Sequence, residues 1–256
     1  MNRKNILLVL ALTIICIVDV SAQRSIYTPN TPEWLVDMFF KQTQFPEKAK
    51  YFAGEMIQDI NYPTIGEELQ GRASISFRKI ELGNQSGVYS ITIRDNGGNA
   101  NFYCYLKKDA GIWKIESIRK FQLPKFIYTS VDSLSQINNL PDSVLSLLNS
   151  LKLMIGPDDN LKKFLTENID DMYNIIGSFE KNEKDALATL MSRLNLDYIF
   201  VDRNYPQCVF ILAGGIDRIE VGFIYSKNKS SLPQMSPGRF IYLEEVLPNW
   251  YVYRAM

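Results

Sequence analysis

The chain has 256 residues, of which 46% are hydrophobic and 22% are charged, with 28 basic residues, 28 acidic residues and no histidine. These values are ordinary for a globular protein that buries a core. Zero net charge and the lack of a basic block argue against nucleic acid as a partner, because phosphate binding depends on clustered lysine and arginine. The lack of histidine removes the commonest general base near neutral pH and the commonest zinc ligand.

Residues 1–22 predict a signal peptide. Arg3 and Lys4 form a short basic region, residues 6–18 form an apolar run, and Val20-Ser21-Ala22 fits the small-x-small rule for cleavage. The apolar run is shorter than the roughly 20 residues of a transmembrane helix, although an uncleaved anchor is the alternative. The sequence therefore predicts an exported protein, periplasmic or extracellular, with no membrane span after cleavage.

Residues 31–42 predict the first helix of the mature chain. Thr31 is a suitable cap, Pro32 suits the first helical position, and Glu33 places an acid in the first turn. The apolar residues that follow recur at the spacing of one helical face. Alternating residues from Ala73 to Arg78 then predict a strand.

Residues 85–121 carry the strongest structural pattern in the chain. Asp95-Asn96-Gly97-Gly98 and Asp109-Ala110-Gly111 supply turn residues that accept positive φ. Between the turns, apolar and polar side chains alternate with the period of a strand that has two distinct faces. Helices followed by an antiparallel sheet of about four strands predict an α+β domain over residues 23–123.

The closing strand of this domain, Gly111-Ile112-Trp113-Lys114-Ile115, allows a comparison with a known superfamily. With its order of elements, the region from about Pro32 to Phe121 resembles the nuclear transport factor 2-like (cystatin-like) superfamily. The resemblance implies a helix in the mouth of a cone-like curved sheet. The cone would hold a small ligand, perform acid–base chemistry or be filled by side chains. The His–Asp pair of the enzymatic members has no counterpart here, so their activity is not implied.

The second half of the chain predicts another α+β domain. Residues 124–142 have little periodicity and lie between prolines, which predicts a linker or a wrapping arm. Residues 143–256 then show helical spacing, with one long helix expected from Asp158 to Phe179, before the pattern changes to strands and a β-meander. The stretch from Gly222 to Tyr251 resembles the C-terminal part of uncharacterised exported bacterial proteins, which implies no activity.

Aromatic residues of the first domain predict a ligand pocket. Tyr89, Tyr103 and Tyr105 are expected to share one face of the first sheet, beneath Trp34 of the helix. Tyrosine hydroxyls in an apolar concavity are typical of a small-molecule site. The alternative is that these side chains simply fill the core, with their hydroxyls at its rim, and this is the favoured interpretation.

Lysines of the second domain predict a contact surface for a partner. Lys227 and Lys229 lie in a long polar connection between strands, residues 226–238. Long connections are often functional or else disordered. The two cysteines left after signal cleavage, Cys104 and Cys208, lie within strand patterns and are interpreted as buried thiols, with a disulfide as the alternative.

Four carboxylates before the first strand offer the main alternative chemistry. Glu55, Asp59, Glu67 and Glu68 could supply an acid and a base, although solvated side chains are the favoured interpretation. Glu244 and Glu245, being adjacent on a strand, are expected on opposite faces. The sequence predicts a non-enzymatic exported module, without cofactor or metal, that binds a partner protein, an envelope component or a small apolar ligand. A histidine-free enzyme and a structural cell-surface component are the alternatives.

Overall fold

The computed structural model describes residues 25–95 and 98–256. The predicted signal peptide, residues 1–22, lies outside the described residues, as do Asn96 and Gly97 of the first predicted turn. Among the helices of the described part, none has the length and apolar character needed to cross a membrane.

The first unit is an antiparallel four-stranded sheet with helices before it. Its strands lie in chain order, and so confirm the predicted meander. The elements are helix α1 (Pro32–Phe40), 3₁₀ helices at Lys48–Tyr51 and Gly54–Asp59, helix α2 (Ile65–Leu69), and strands β1 (Ser74–Leu82), β2 (Ser86–Asp95), β3 (Gly98–Asp109) and β4 (Ile112–Lys120).

Both helices of the first unit begin at threonine caps. The Oγ1 of Thr31 accepts a hydrogen bond from the backbone N–H of Trp34 at 3.2 Å, which satisfies one of the unpaired donors of the first turn. Thr64 and Glu67 form a reciprocal capping box at the start of α2. The buried face of α1 packs on one face of the sheet, with Leu35, Val36, Phe39 and Phe40 in the same apolar cluster as Ile91 and Ile115.

The second unit has five helices followed by five strands. They are α3 (Lys125–Ser135), α4 (Asp142–Ile155), α5 (Asp158–Glu167), α6 (Ile169–Glu180), α7 (Lys184–Arg193), β5 (Tyr198–Val201), β6 (Val209–Ile216), β7 (Ile219–Tyr225), β8 (Phe240–Leu247) and β9 (Trp250–Ala255). In the sheet β9 lies between β7 and β8, so the strand order is β5-β6-β7-β9-β8. Strand β8 is therefore an edge strand. An α+β fold with two helix-then-sheet units is confirmed.

Two local predictions differ from the structure. The long helix expected from Asp158 to Phe179 is divided at Asn168, whose φ of −114° and ψ of 20° leave the helical region. The residues predicted as a linker, 124–142, contain helix α3, and Ile127 and Val131 of that helix are buried in the core. Two buried positions in eleven residues are too few to produce a clear helical period in the sequence.

One apolar cluster joins the two sheets. Val88, Tyr103 and Tyr105 of the first sheet belong to the same buried cluster as the helices α3 to α7 and as Trp250 and Val252 of the second sheet. A single close-packed cluster of this kind holds both units in a fixed relation. The cavities between the sheets consequently have walls from both halves of the chain.

Candidate functional site

The register of β2 on β3 places the predicted pocket residues on two different faces. Tyr89 lies opposite Cys104, whereas Ser90 lies opposite Tyr103. Side chains alternate along a strand, so Tyr89 faces α1 while Tyr103 and Tyr105 face the second unit. The predicted shared face of Trp34, Tyr89, Tyr103 and Tyr105 is therefore wrong, because the register offsets Tyr89 from the other two tyrosines by one residue.

Tyr89 and Trp34 are packed within the first unit. The Tyr89 hydroxyl donates to Oε1 of Glu33 at 2.7 Å, and burial together with that carboxylate raises the pKa of Tyr89 far above its ordinary value. The Trp34 ring meets Tyr51 edge-on with 5.0 Å between centroids. A role for these two residues in ligand binding stays a prediction.

Tyr103 and Tyr105 connect the two units. The Tyr103 hydroxyl donates to Oδ1 of Asp158 at 2.8 Å, and its ring stacks on Tyr242 with 5.2 Å between centroids. The Tyr105 hydroxyl donates to the backbone carbonyl of Ile241 at 2.9 Å. Both side chains are buried, and their hydroxyl groups find acceptors in the second unit, as buried polar groups normally do.

A buried ion pair lies next to Tyr103. Arg254, with a side chain only 2% exposed, donates from Nε to Oδ1 of Asp158 at 2.8 Å. Its two terminal nitrogens donate to the carbonyls of Met154 at 3.0 Å and Gly156 at 2.6 Å. Burial acts to lower the pKa of Arg254, but Tyr103 and Asp158 outweigh it and raise the pKa overall. The guanidinium thus stays charged and holds the end of α4 against β9.

A second charged group links β1 to β8. Arg78 donates to both oxygens of Glu244, at 2.6 and 2.5 Å, and the Tyr242 hydroxyl and the Lys162 ammonium also reach this carboxylate. Burial acts to raise the pKa of Glu244, but these donors outweigh it and lower the pKa. Glu244 and Glu245 lie on opposite faces of the strand, as the sequence predicts. Glu245 lines a groove on its own face.

Protonation of Glu244 is expected to weaken the fold. Because its pKa is lower when folded, its contribution to stability is present above the ordinary glutamate value of about 4.3 and is lost as the pH falls through the lowered pKa. The free energy of unfolding of the wild type should therefore fall more steeply than that of Glu244→Gln between about pH 6 and about pH 3. Urea titrations across that range measure the difference.

The matched control for this comparison is Glu180→Gln, which changes an exposed glutamate at the end of α6. The slope of that variant should equal the slope of the wild type. Equal slopes for Glu244→Gln and the wild type would contradict the assignment.

A groove of about 690 Å³ lies at the junction between the two sheets and is termed the junction groove. Val88, Tyr105 and Leu106 line it from the first sheet, and Leu243 and Tyr251 line it from the second. Residues 229–237 of the long connection form its outer wall. Grooves at the junction of two units are common ligand sites.

The connection that walls the groove is held by hydrogen bonds. The Asn228 side chain caps the 3₁₀ turn Lys229–Ser231, and the buried Ser226 hydroxyl contacts that of Ser231 at 3.0 Å. At its far end, Arg119 of β4 donates to the carbonyl of Pro237 at 2.8 Å. The connection is thus fixed to both units.

The two lysines predicted as partner contacts occupy different places. Lys229 lines the junction groove and pairs with Glu245. Lys227 is exposed and lies over the ring of Tyr225, with 5.9 Å from its Nζ to the centroid. Lys229 and Tyr105 are therefore the two predicted site residues that the fold brings together, one from each half of the chain.

The charges of the junction groove are unequal. Glu81, Glu116 and Glu245 contribute three carboxylates to its lining, and Lys229 contributes one ammonium. Glu116 also pairs with Lys107 at the surface. Its other lining residues mix apolar side chains such as Val88 and Leu243 with polar ones such as Ser86 and Gln234, so the site combines apolar residues with an acidic rim.

The four carboxylates considered for catalysis serve other contacts or are exposed. Glu55 pairs with Arg119 at 2.6 Å, and that hydrogen bond lowers the pKa of Glu55. Glu67 completes the capping box of α2 and pairs with Lys48 at 3.1 Å, while Asp59 and Glu68 are exposed. None of the four lines the junction groove.

Both cysteines are free and buried, which confirms their interpretation as buried thiols. Cys104 lies in the apolar cluster beneath α1, whereas Cys208 lies in a separate cluster of the second sheet. Burial raises the pKa of Cys104 well above its ordinary value. Neither thiol lines the junction groove.

No protein-family model matches the chain, and neither a curated protein nor a solved structure shows significant similarity to it. The resemblance to the nuclear transport factor 2-like superfamily stays a prediction. The residues that reasoning from sequence missed are Leu243, Tyr251 and Glu81. In the sequence these residues belong to ordinary strand patterns. Leu243 differs from other strand leucines only in lying on the edge strand β8, which the sequence does not show.

Proposed function

We propose that the protein is a binding module that holds an extended, apolar and basic segment of a partner polypeptide in the junction groove. The observation that carries this proposal is that an edge strand borders a groove lined by apolar residues and by an acidic rim. No step of it requires a catalytic group.

The edge strand supports an extended ligand. Strand β8 pairs with β9 on one side, and no described strand pairs with its outer side. The Ile241 carbonyl of β8 already accepts from Tyr105, so the part of this edge that can offer main-chain donors and acceptors to an added strand lies beyond Tyr242. Leu243 and Glu245 of β8 line the groove at this edge, so a bound segment would contact one apolar and one acidic side chain.

The charges support a basic ligand. Glu116 and Glu245 pair with Lys107 and Lys229, whereas Glu81 lines the groove without an ion pair among the described residues. This unpaired carboxylate favours a segment that carries lysine or arginine beside its apolar side chains. An apolar segment without charge would leave this carboxylate unused. The same carboxylate disfavours acidic segments, which is a source of specificity.

Selection from a displayed library of random peptides of about 12 residues, twice the length of a typical strand, tests this proposal. We expect enriched peptides in which apolar residues alternate with lysine or arginine. The substitution Leu243→Lys should weaken binding of the best peptide at least about tenfold, because it replaces an apolar lining residue by a charged one. Binding is measured by fluorescence anisotropy with a labelled peptide.

Leu145→Lys is the matched control, because Leu145 is an exposed leucine on α4 outside the groove. It should leave peptide affinity unchanged, and the urea midpoint of each variant shows that the protein is folded. Enrichment of acidic peptides, or equal affinity of Leu243→Lys and the wild type, would overturn the proposal. Selection of no peptide at all would also reject it.

A further inference from the structure

A second cavity lies at the opposite end of the interface between the units. The groove contains Tyr105 of β3, whereas this cavity contains Asn101 and Asn99 on the other side of Tyr103. It measures about 200 Å³ and is bounded by strands β1 to β3 and by the start of α5 at Asp158.

The walls of this cavity are polar side chains with unused hydrogen-bonding capacity. Within the described residues, Ser76, Ser90 and Arg94 all line the cavity, and their side chains make no hydrogen bond or ion pair. The Asn101 carbonyl oxygen is close to the Thr92 hydroxyl at 3.3 Å, which leaves the Asn101 amide N–H₂ group for another acceptor. Ser76 and Arg94 are exposed, so water can satisfy them, whereas Ser90 is buried, and a buried hydroxyl normally has a partner in a folded protein.

A buried acceptor also lines the cavity. Asp158 is only 3% exposed, and its Oδ1 accepts from Tyr103 and Arg254. Its Oδ2 is buried without a hydrogen-bond donor among the described residues. A buried carboxylate oxygen without a donor is costly, but this oxygen is enclosed by the protein and does not open into the cavity.

The charges of the lining balance. Two arginines and two aspartates line the cavity, and of these Arg78 and Asp158 are already paired with Glu244 and Arg254. An anion bound there would meet two carboxylates, and a cation would meet two guanidinium groups. A neutral ligand that carries both donors and acceptors avoids both conflicts.

We propose that this cavity binds one ring of a carbohydrate. Hydroxyl groups of a sugar donate and accept at once, which matches the buried Ser90 hydroxyl beside free amide and guanidinium donors. A neighbouring cavity of about 240 Å³ shares Asn99, Asn101 and Pro157 with the 200 Å³ cavity. It also contains Gln122 and Tyr128, so the chain of sugars continues past Pro157 into it.

A printed array of neutral and acidic oligosaccharides, followed by calorimetric titration of the best ligand and of its single monosaccharide, tests the proposal. The oligosaccharide should bind at least about tenfold more tightly than the monosaccharide, because it occupies both cavities. Asn101→Ala removes an amide shared by both cavities and should weaken oligosaccharide binding about tenfold.

Asn138→Ala is the matched control, since Asn138 is an exposed asparagine between α3 and α4. It should leave the affinity unchanged. Leu243→Lys should also bind the sugar normally, which separates this site from peptide binding in the junction groove. Urea midpoints establish that each variant is folded.

Three results would overturn the carbohydrate proposal. One is the absence of binding to any sugar on the array and in titrations at millimolar concentration. Another is equal affinity of Asn101→Ala and the wild type. The third is tighter binding of inorganic phosphate than of any sugar with loss in Arg94→Ala, which would identify an anion site instead.

Discussion

Replacing Arg254 by alanine is expected to lower the free energy of unfolding by about 3–5 kcal/mol, the usual result of removing one partner of a buried ion pair. The substitution leaves the Asp158 carboxylate buried with Tyr103 as its remaining donor. It also removes the donors to the carbonyls of Met154 and Gly156. Each of these groups then carries its desolvation cost without compensation.

Equilibrium unfolding in urea measures this effect. Arg254→Lys keeps the charge but lacks the planar group that reaches three acceptors, so its loss should be smaller than that of the alanine variant. Arg203→Ala is the control, because Arg203 is an exposed arginine of the same unit, and its effect should stay within about 0.5 kcal/mol. A loss below about 1 kcal/mol for Arg254→Ala, which is typical of a surface pair, would contradict the assignment.

Gly222→Ala is expected to lower the free energy of unfolding by about 3 kcal/mol, at the upper end for overpacking in a core. Gly222 lies on β7, opposite the irregular register between Leu212 and Gly214 on β6. A Cβ at this position would lie 2.2 Å from the Ile211 carbonyl oxygen and 3.1 Å from the Tyr253 ring. Since the nearest contact is backbone, two central strands must separate to accept the methyl group.

Gly215→Ala is the matched control within the same sheet. Its Cβ would come no closer than 3.2 Å to a neighbouring atom, the carbonyl oxygen of Ile219, and Gly215 is exposed on β6. Urea unfolding of this variant should differ from the wild type by at most about 0.5 kcal/mol. A similar loss in both variants would show that the chain tolerates a Cβ equally at the two positions and that the close approach at Gly222 is not the cause.

Local structure was accessible from the sequence because its determinants are close in the chain. The cap at Thr31, the turn at Asp109-Ala110-Gly111 and the alternation along β3 each depend on residues a few positions apart. These patterns predict helix α1 and strands β2 to β4. They also predict opposite faces for Glu244 and Glu245, because side chains of a strand alternate whatever it pairs with.

Which side chains of neighbouring strands share a face depends on the register of their pairing, and the sequence pattern does not contain that register. Alternation shows that Tyr103 and Tyr105 share a face, but it does not show which residue of β2 lies opposite them. A shift of one residue exchanges the faces, and the observed register places Tyr89 with Cys104. Trp34 lies on the same side of the sheet as Tyr89, because α1 covers that face.

What the sequence by itself determined is the α+β class, the order of helices and strands in each unit, and the burial of the two thiols, because periodicity and turn residues are local properties. Only the tertiary structure decided how the units meet. Arg254 lies 96 positions from Asp158 in the chain, and Arg78 lies 166 positions from Glu244. Pairs at such separations leave no periodic signal in a single sequence, so these two ion pairs, the junction groove and the polar cavity emerge only when the two sheets pack together.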